Sequence, residues 1–398
     1  MGNERVQGWL LALAGVVVLA PVLGAWRTGW WFVTAIPVGF LFGFFLQKGD
    51  LCGSSAMAEV LLFRDGGKLA GLWVAIAVSM VGFAVIERLG WVVLKPKPLL
   101  WASWIVGGAI FGAGTVLAGG CISGCLYKAG AGNLNSMAAL VGMPLGIALV
   151  EHGPLNRLHL WLKSHVISAA DGGPVTLSSL TGLPYWLLAL LIAGATLAVA
   201  WRLRRATATG RGGDGANHRP FLARPWRPWQ AGVAIGLLAV PAFLSAVASG
   251  RSYPLGVTHG VLHTYELVTD AVIVDTGRPA SPAPVGATGT NAPSPPQRKV
   301  SGWLILVVVA MVPGSWVAAR LSGQAKLLPK PPEQVVTAFA GGIIVGTGAA
   351  FATGCVVGNI LSGWALMSVG MLLFGVVTLL ANWAAAYVYL LGDWPARR

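Results

Sequence analysis

The chain has 398 residues, of which 56% are hydrophobic and only 10% are charged, and its mean hydropathy is +0.72. A soluble domain carries about 25% charged residues, so this composition excludes an ordinary water-soluble protein and indicates a polytopic membrane protein. The net charge of +14 does not indicate nucleic-acid binding, because the basic residues cluster in loops between apolar segments, as charges that orient membrane spans do.

Ten apolar segments approach the length of about 20 residues that a helix needs to cross the hydrocarbon core of a bilayer. In chain order they are 8–26, 29–47, 69–94, 101–119, 134–150, 183–201, 229–248, 302–321, 335–353 and 366–391. We therefore predict an all-α polytopic membrane protein with nine to ten spanning helices.

Four glycine-rich interruptions follow the second, fourth, seventh and ninth of these spans. They read "KGDLCGSSAMAEVLLFRD", "AGGCISGCLYKAGAGN", "SGRSYPLGVTHGVLHTYELV" and "ATGCVVGNILSGW". Each leads into an apolar segment too short to cross alone, so we predict four half-membrane helices. Spans one to five carry two interruptions and spans six to ten carry two, so the two halves have odd span numbers and opposite orientations. This is the inverted-repeat plan of many transporters.

The distribution of basic residues predicts the domain boundaries and the orientation. The stretch from Arg202 to Arg227 holds seven arginines and one acidic residue, which marks 202–228 as a cytoplasmic loop. It separates a membrane half at 1–201 from a second half at 229–398, and it places both chain termini in the cytoplasm. The proline-rich segment at about 270–300 falls outside as a disordered loop. Lys95 and Lys97 also fall outside, against the positive-inside rule.

Backbone that leaves helical geometry inside a bilayer is tolerated only where protein or a water-filled cavity satisfies its polar groups. The interruptions therefore predict a central lined path, and the N-termini of the short helices favour an anion there. The residues assigned to this path are Cys52, Cys121, Cys125, Cys355, Gly53, Gly120, Gly124, Gly354, Gly358 and Arg251. Close helix packing at the glycines and an arginine that extends to the membrane interface are the alternative interpretations.

Cysteine beside glycine in three of four interruptions is hard to ascribe to packing alone. A thiol is a weak, polarizable hydrogen-bonding group, which suits a ligand with exposed sulfur or selenium better than sulfate. Copper or zinc binding is disfavoured, because no histidine or methionine accompanies the cysteines at ligand spacing. A redox pair of Cys121 and Cys125 stays open as a second class of function. His259 and His263 resemble half of a metal site without the other ligands, and no cofactor is predicted.

At these interruptions the sequence resembles the YeeE/YedE family of sulfur-transport membrane proteins. The residues that carry the resemblance are "GDLCGSSAMAEVLLFRD", "AGGCISGCLYKAGAGNLNS" and "ATGCVVGNILSG". The resemblance implies about nine spans with four half-membrane helices and uptake of thiosulfate across the bacterial inner membrane. It also implies that thiols pass the anion inward, a role that falls on Cys52, Cys121 and Cys355, with Cys121 the leading candidate for the essential residue.

The same resemblance leaves the cargo and one thiol open. Some relatives are linked to selenium compounds, and a soluble TusA-like sulfur carrier is an implied partner on the cytoplasmic side. Cys125 is an extra thiol in the second interruption and departs from the family pattern.

The predicted orientation can be tested by labelling. A cysteine introduced at Gly212 should react with a membrane-impermeant maleimide only from the cytoplasmic side, and one at Gly286 only from outside. Labelling is compared in intact cells and inverted vesicles, with the parent chain as control. Reaction of both positions from one side would contradict the inverted repeat.

Overall fold

The structure is a computed structural model that describes residues 2–169, 172–207, 221–269, 272–274, 299–327 and 330–391. The helices of the first half of the chain are α1 (Gly2–Thr28), α2 (Ala35–Gly49), α3 (Gly53–Phe63), α4 (Gly67–Arg88), α5 (Trp101–Leu117), α6 (Ile122–Gly130), α7 (Leu134–Glu151), α8 (Asn156–Ser164) and α9 (Leu177–Thr181). Those that follow are α10 (Tyr185–Thr207), α11 (Pro228–Ala248), α12 (Thr258–Thr269), α13 (Gly302–Ser322), α14 (Pro332–Phe351), α15 (Gly363–Ala365) and α16 (Val369–Ala386).

Three short helical turns and one strand pair complete the described structure. They are a 3₁₀ turn at Trp31–Thr34, wider π-helical turns at Val356–Ser362 and Tyr387–Leu391, and the strands β1 (Val272–Val274) and β2 (Lys299–Ser301). The two strands pair in parallel over three residues, and everything else that is regular is helical.

The prediction of an all-α protein with about ten spanning helices is confirmed. Ten helical segments of the described chain are long and apolar enough to cross a membrane. One difference in boundary is the end of the third span, predicted at residue 94, whereas α4 ends at Arg88. Gly90 lies just beyond, with a φ of +73°, and its N–H bonds back to Glu87. Glycine adopts this left-handed conformation without a steric penalty, so it ends the helix.

The spanning helices pack in pairs that join the two halves of the chain. α2 packs on α13 and α4 packs on α11, while α5 packs on α16 and α7 packs on α14. Exchanging the helix set α2, α4, α5, α7 with the set α11, α13, α14, α16 in order leaves this pattern unchanged, as a structural repeat requires. α1 and α10 lie at the periphery, because only 6% of the apolar 18-residue stretch in each helix is buried.

Hydrogen bonds at the two ends of α2 and α11 show that these two helices, one from each helix set, run in opposite directions. At one end of the bundle, Trp226 before α11 donates its N–H to the carbonyl of Lys48 near the end of α2. At the other end, Ser245 near the end of α11 contacts the hydroxyl of Thr34 just before α2, at 2.5 Å. α2 therefore ends where α11 begins, and the repeat is inverted. We call the first end the Lys128 face and the second the Lys97 face, after basic residues described below.

Some glycines of the spanning helices allow close helix packing. Gly142 and Gly146 on α7 face Gly342 and Gly346 on α14, and a Cβ at any of them would collide with the backbone of the opposite helix. Such small-residue stripes bring helices together in membranes. The packing interpretation thus holds for this interface, outside the interrupted segments.

Several sequence-based expectations lie outside the described residues. Positions 208–220 of the basic loop, most of 270–300 and the end of the chain from 392 onward belong to this group. The domain boundaries and the location of the termini stay predictions.

Candidate functional site

All four interruptions begin with the same backbone turn. In each, one residue at the end of a spanning helix adopts a left-handed conformation: Asp50 (φ 46°), Gly119 (φ 70°), Gly250 (φ 79°) and Thr353 (φ 52°). Its N–H bonds to the carbonyl three residues back, and the next N–H bonds to the carbonyl five residues back. This is the Schellman motif, which satisfies carbonyls that the helix end would leave free.

A short helix follows each turn. The residue before it accepts the first helical hydrogen bond: Cys52 from Ala56, Cys121 from Cys125, Val257 from Val261 and Cys355 from Asn359, at 2.7–3.1 Å. The three cysteines have extended backbone. In the three cysteine elements the thiol residue follows the left-handed residue by two positions. The third element instead has the six residues 251–256 between these two positions, where the others have one, and it has valine where the others have cysteine.

The first two elements bring their thiols together. The sulfurs of Cys52 and Cys121 lie 3.9 Å apart, and both side chains are at most 1% exposed. Gly124 lies against this pair, because a Cβ there would collide with the Cys52 sulfur. The Tyr127 hydroxyl also donates to the carboxylate of Asp50 at 2.8 Å and ties the two elements together.

The third and fourth elements form a matching pair at the Lys97 face. The Tyr253 hydroxyl donates to the carbonyl of Gly358 at 2.7 Å. Ser362 donates to the carbonyl of Leu255 at 2.8 Å. The amide of Asn359, which is fully buried, donates to the carbonyl of Ala352 at 2.9 Å and so satisfies the backbone of the break before Cys355.

Three of the four elements border one small cavity, which we call the constriction. A cavity of about 20 Å³ is bordered by Gly53 of the first element, Ser123 of the second and Val356 of the fourth. That volume holds about one water molecule. At the Lys128 face a much wider cavity of about 230 Å³ opens, and three lysines border it: Lys128, Lys326 and Lys330. We call this wider cavity the basic vestibule, and none of its lining residues borders the small cavity.

Each cysteine break is held by a lysine from elsewhere in the chain or from the following helix. Lys68 donates to the carboxylate of Asp50 at 2.5 Å. Lys128 donates to the carbonyl of Gly119 at 2.9 Å. Lys97 donates to the carbonyl of Thr353 at 2.5 Å. These contacts were not predicted from the sequence, and only the violation of the positive-inside rule singled out Lys97.

The remaining path candidates occupy distinct places. A Cβ at Gly53 would meet Val356 at 2.5 Å, one at Gly120 would meet the sulfur of Cys125, and one at Gly354 would collide with the Asn359 amide. Gly358 is buried, yet a Cβ there would meet nothing within 4 Å.

Cys125 is not part of the contact between Cys52 and Cys121. Its sulfur contacts the carbonyl of Ala118 at 3.8 Å, while Cys121 contacts Cys52. All four cysteines are free thiols.

The two histidines of the third element have other partners. His259 pairs with Glu151 at 3.2 Å, and His263 accepts the N–H of Ser301 at 3.2 Å. Among the described residues, no group of three or more His, Cys, Asp or Glu side chains is arranged to hold a metal ion.

The sequence model of a family described as sulphur transport matches residues 48–384. The chain is 30% identical over 365 residues to the thiosulfate transporter TsuA of Spirochaeta thermophila, covering 89% of this chain and 98% of that relative. It is 26% identical over 364 residues to TsuA of Escherichia coli, covering 90% and 91%. A shorter match of 28% over 120 residues joins 30% of this chain to 29% of the probable transporter YedE of Escherichia coli. The family match includes all four breaks and leaves α1 outside.

The thiol geometry can be tested by oxidation of two-cysteine variants. With Cys125 and Cys355 replaced by serine, copper-phenanthroline should convert Cys52 and Cys121 into a disulfide, because a small shift closes the 3.9 Å between their sulfurs. The two thiols pass two electrons to two Cu(II) ions and release two protons to the solvent, and peptide mass spectrometry detects the disulfide.

The matched control retains Cys121 and Cys125, with Cys52 and Cys355 replaced by serine. It should form much less disulfide, because the Cys125 sulfur is turned toward Ala118. Faster oxidation of this control would contradict the described side-chain arrangement and would favour the redox interpretation.

Proposed function

Because the chain belongs to the sulphur transport family, we propose that it takes up thiosulfate, or a similar small sulfur-containing anion, across the bacterial inner membrane. The observation that carries this proposal is the contact between the Cys52 and Cys121 sulfurs, each at the start of a short helix. Gly53 and Ser123, which closely follow these cysteines, border the constriction. The two relatives named thiosulfate transporters match nearly their whole length to this chain, which supports the same cargo.

The start of each short helix offers an anion two kinds of contact. Free backbone N–H groups there carry partial positive charge and favour the negative cargo. The thiol at the same place is a soft, weak partner for the terminal sulfur of thiosulfate. Weak binding at successive points lets an ion enter and still leave, which rapid passage requires.

The proposed route starts at the Lys97 face, passes Cys355, and crosses the constriction to Cys52 and Cys121. It ends in the vestibule that Lys128 borders. The direction follows from the basic loop: Trp226, at its end, is hydrogen bonded beside the Lys128 face. If basic loops face the cytoplasm, this face is the inner one.

No reaction step is part of the proposal, and the thiols act as binding groups that keep their oxidation state. A cavity of about 20 Å³ is far too small for the cargo, so side chains at the constriction must move aside as the anion passes. Open space for such movement lies beside Gly358, in the fourth interrupted segment. A soluble TusA-like sulfur carrier at the Lys128 face is the proposed acceptor of the cargo.

The role of Cys121 can be tested by replacing sulfur with oxygen. Cys121→Ser is nearly the same size but harder and more strongly hydrogen bonding, so it should insert normally and lose uptake of labelled thiosulfate about tenfold or more. Cys121→Ala should lose it as well, since neither residue offers the soft contact.

Cys125→Ser is the matched control, because its sulfur faces the carbonyl of Ala118 and not the thiol pair. It should retain most of the uptake. Uptake is measured in cells that lack other thiosulfate routes and is normalised to membrane levels of each variant. Equal rates for Cys121→Ser and the parent chain would reduce Cys121 to a small residue that merely fits.

A further inference from the structure

Two cations meet over one aromatic ring at the Lys97 face. The ammonium of Lys97 lies 5.1 Å from the centre of the Tyr253 ring, and the guanidinium of Arg251 lies 5.8 Å from the same ring. Arg251 also lies 5.4 Å from the ring of Trp303 and donates to the carbonyl of Pro254 at 2.9 Å. It is thus held inside the fold and does not extend away from it.

Neither cation has an acidic partner in the part of the chain that the structure describes. The ion pairs there join Lys68 to two carboxylates, and two histidines to one carboxylate each. Lys97 and Arg251 are only partly exposed, and they repel each other. Partly buried like charges without a counter-charge are unfavourable unless a ligand supplies one.

The position of Lys97 connects this pair of cations to the path. Its ammonium donates to the carbonyl of Thr353, two residues before Cys355. Thr353 is β-branched and has a φ of 52°, a conformation that such a residue rarely adopts. The lysine therefore holds the break immediately ahead of the thiol, and an anion that draws the ammonium toward itself competes with that hydrogen bond.

We propose that Lys97 and Arg251 form a binding site for doubly charged sulfur oxyanions at the mouth of the path, ahead of Cys355. The site binds the oxygen end of the anion by charge and by N–H donation, so it accepts sulfate as well as thiosulfate. Selection for the terminal sulfur comes later, at the thiols. Only the identity of the cargo rests on the proposed function, since the cations would bind an oxyanion whether or not it is carried further.

The test is direct titration of the purified full chain in lipid nanodiscs with sulfate and, separately, with thiosulfate, followed by calorimetry. The parent chain should bind both anions at one site. Lys97→Gln and Arg251→Gln should each weaken both affinities about tenfold or more, because each removes a charge from the site.

Lys95→Gln is the matched control. Lys95 lies two residues away in the same loop, is exposed, and is equal in charge. It should leave both affinities unchanged. Equal weakening by Lys95→Gln and Lys97→Gln would overturn the site and indicate a general effect of net charge, and an unchanged affinity in Lys97→Gln would overturn it as well.

The charge of Lys97 gives a readout that a purely structural role would not move. Burial and, secondarily, Arg251 lower the pKa of Lys97 to about 7. Cys355 raises this pKa and Lys163 lowers it by smaller amounts, and the Tyr253 ring lies alongside. The ammonium is charged below this pKa and loses its charge as the pH rises through it. Affinity for sulfate, a dianion throughout, should therefore fall between about pH 6 and pH 8.

Lys97→Arg keeps the charge over this range, because an arginine stays protonated. It should fold, bind sulfate and show a flat pH profile. The same fall in Lys97→Arg would overturn the assignment to Lys97.

Uptake distinguishes failure of the site from failure of the proposed function. Lysine-dependent sulfate binding by a chain that carries no thiosulfate would uphold the site and refute the cargo. Thiosulfate uptake by Lys97→Gln with the parent Michaelis constant would uphold the cargo and refute the site.

Discussion

Burying a backbone N–H or carbonyl among apolar side chains without a hydrogen-bond partner costs several kcal/mol. This constraint governs the architecture around the four interruptions. The chain leaves helical geometry four times within its buried interior, and each time the same turn recovers two of the freed carbonyls. Side chains satisfy further backbone groups. Lys128 bonds to the carbonyl of Gly119, Lys97 to that of Thr353, and Asn359 to that of Ala352. With these groups satisfied, each short helix can begin with free N–H groups directed at the interior.

The inverted repeat follows from the same arrangement. Two breaks enter from each face, and each pair is joined by a tyrosine hydroxyl: Tyr127 to Asp50 on one face and Tyr253 to Gly358 on the other. Because the two pairs approach from opposite faces, they meet in a cavity of about 20 Å³ with wider space beyond it. Such a layout confines selection to a few atoms. In the proposed route the positive charges lie at the mouths, where they would attract an anion without binding it tightly in the middle.

Much of this fold could be predicted from the sequence, because spans and breaks are local features. The lengths of the apolar segments predicted ten spans, and glycine beside cysteine predicted the breaks at Cys52, Cys121 and Cys355. Glycine at Gly119 indicated a turn, whereas the same conformation at Asp50 and Thr353 gave no such sign, since neither residue favours it.

What could not be predicted depends on contacts between distant segments. The Cys52 and Cys121 sulfurs are 69 positions apart in sequence, and their contact requires the packing of two separate half-helices. Lys97 lies 256 positions from Thr353 in a loop without a motif. The direction of the Cys125 side chain likewise follows from a contact with another helix, because its sulfur contacts the carbonyl of Ala118 at the end of α5.

The central claim is that the constriction recognises the terminal sulfur of the anion, while the mouth recognises only its charge. Transport of labelled thiosulfate and labelled sulfate into liposomes that contain the purified chain tests it most directly, since the two dianions differ by one soft atom. Thiosulfate should enter, and sulfate should stay outside while still slowing thiosulfate uptake by competition at the mouth. Entry of both anions at similar rates would contradict the claim.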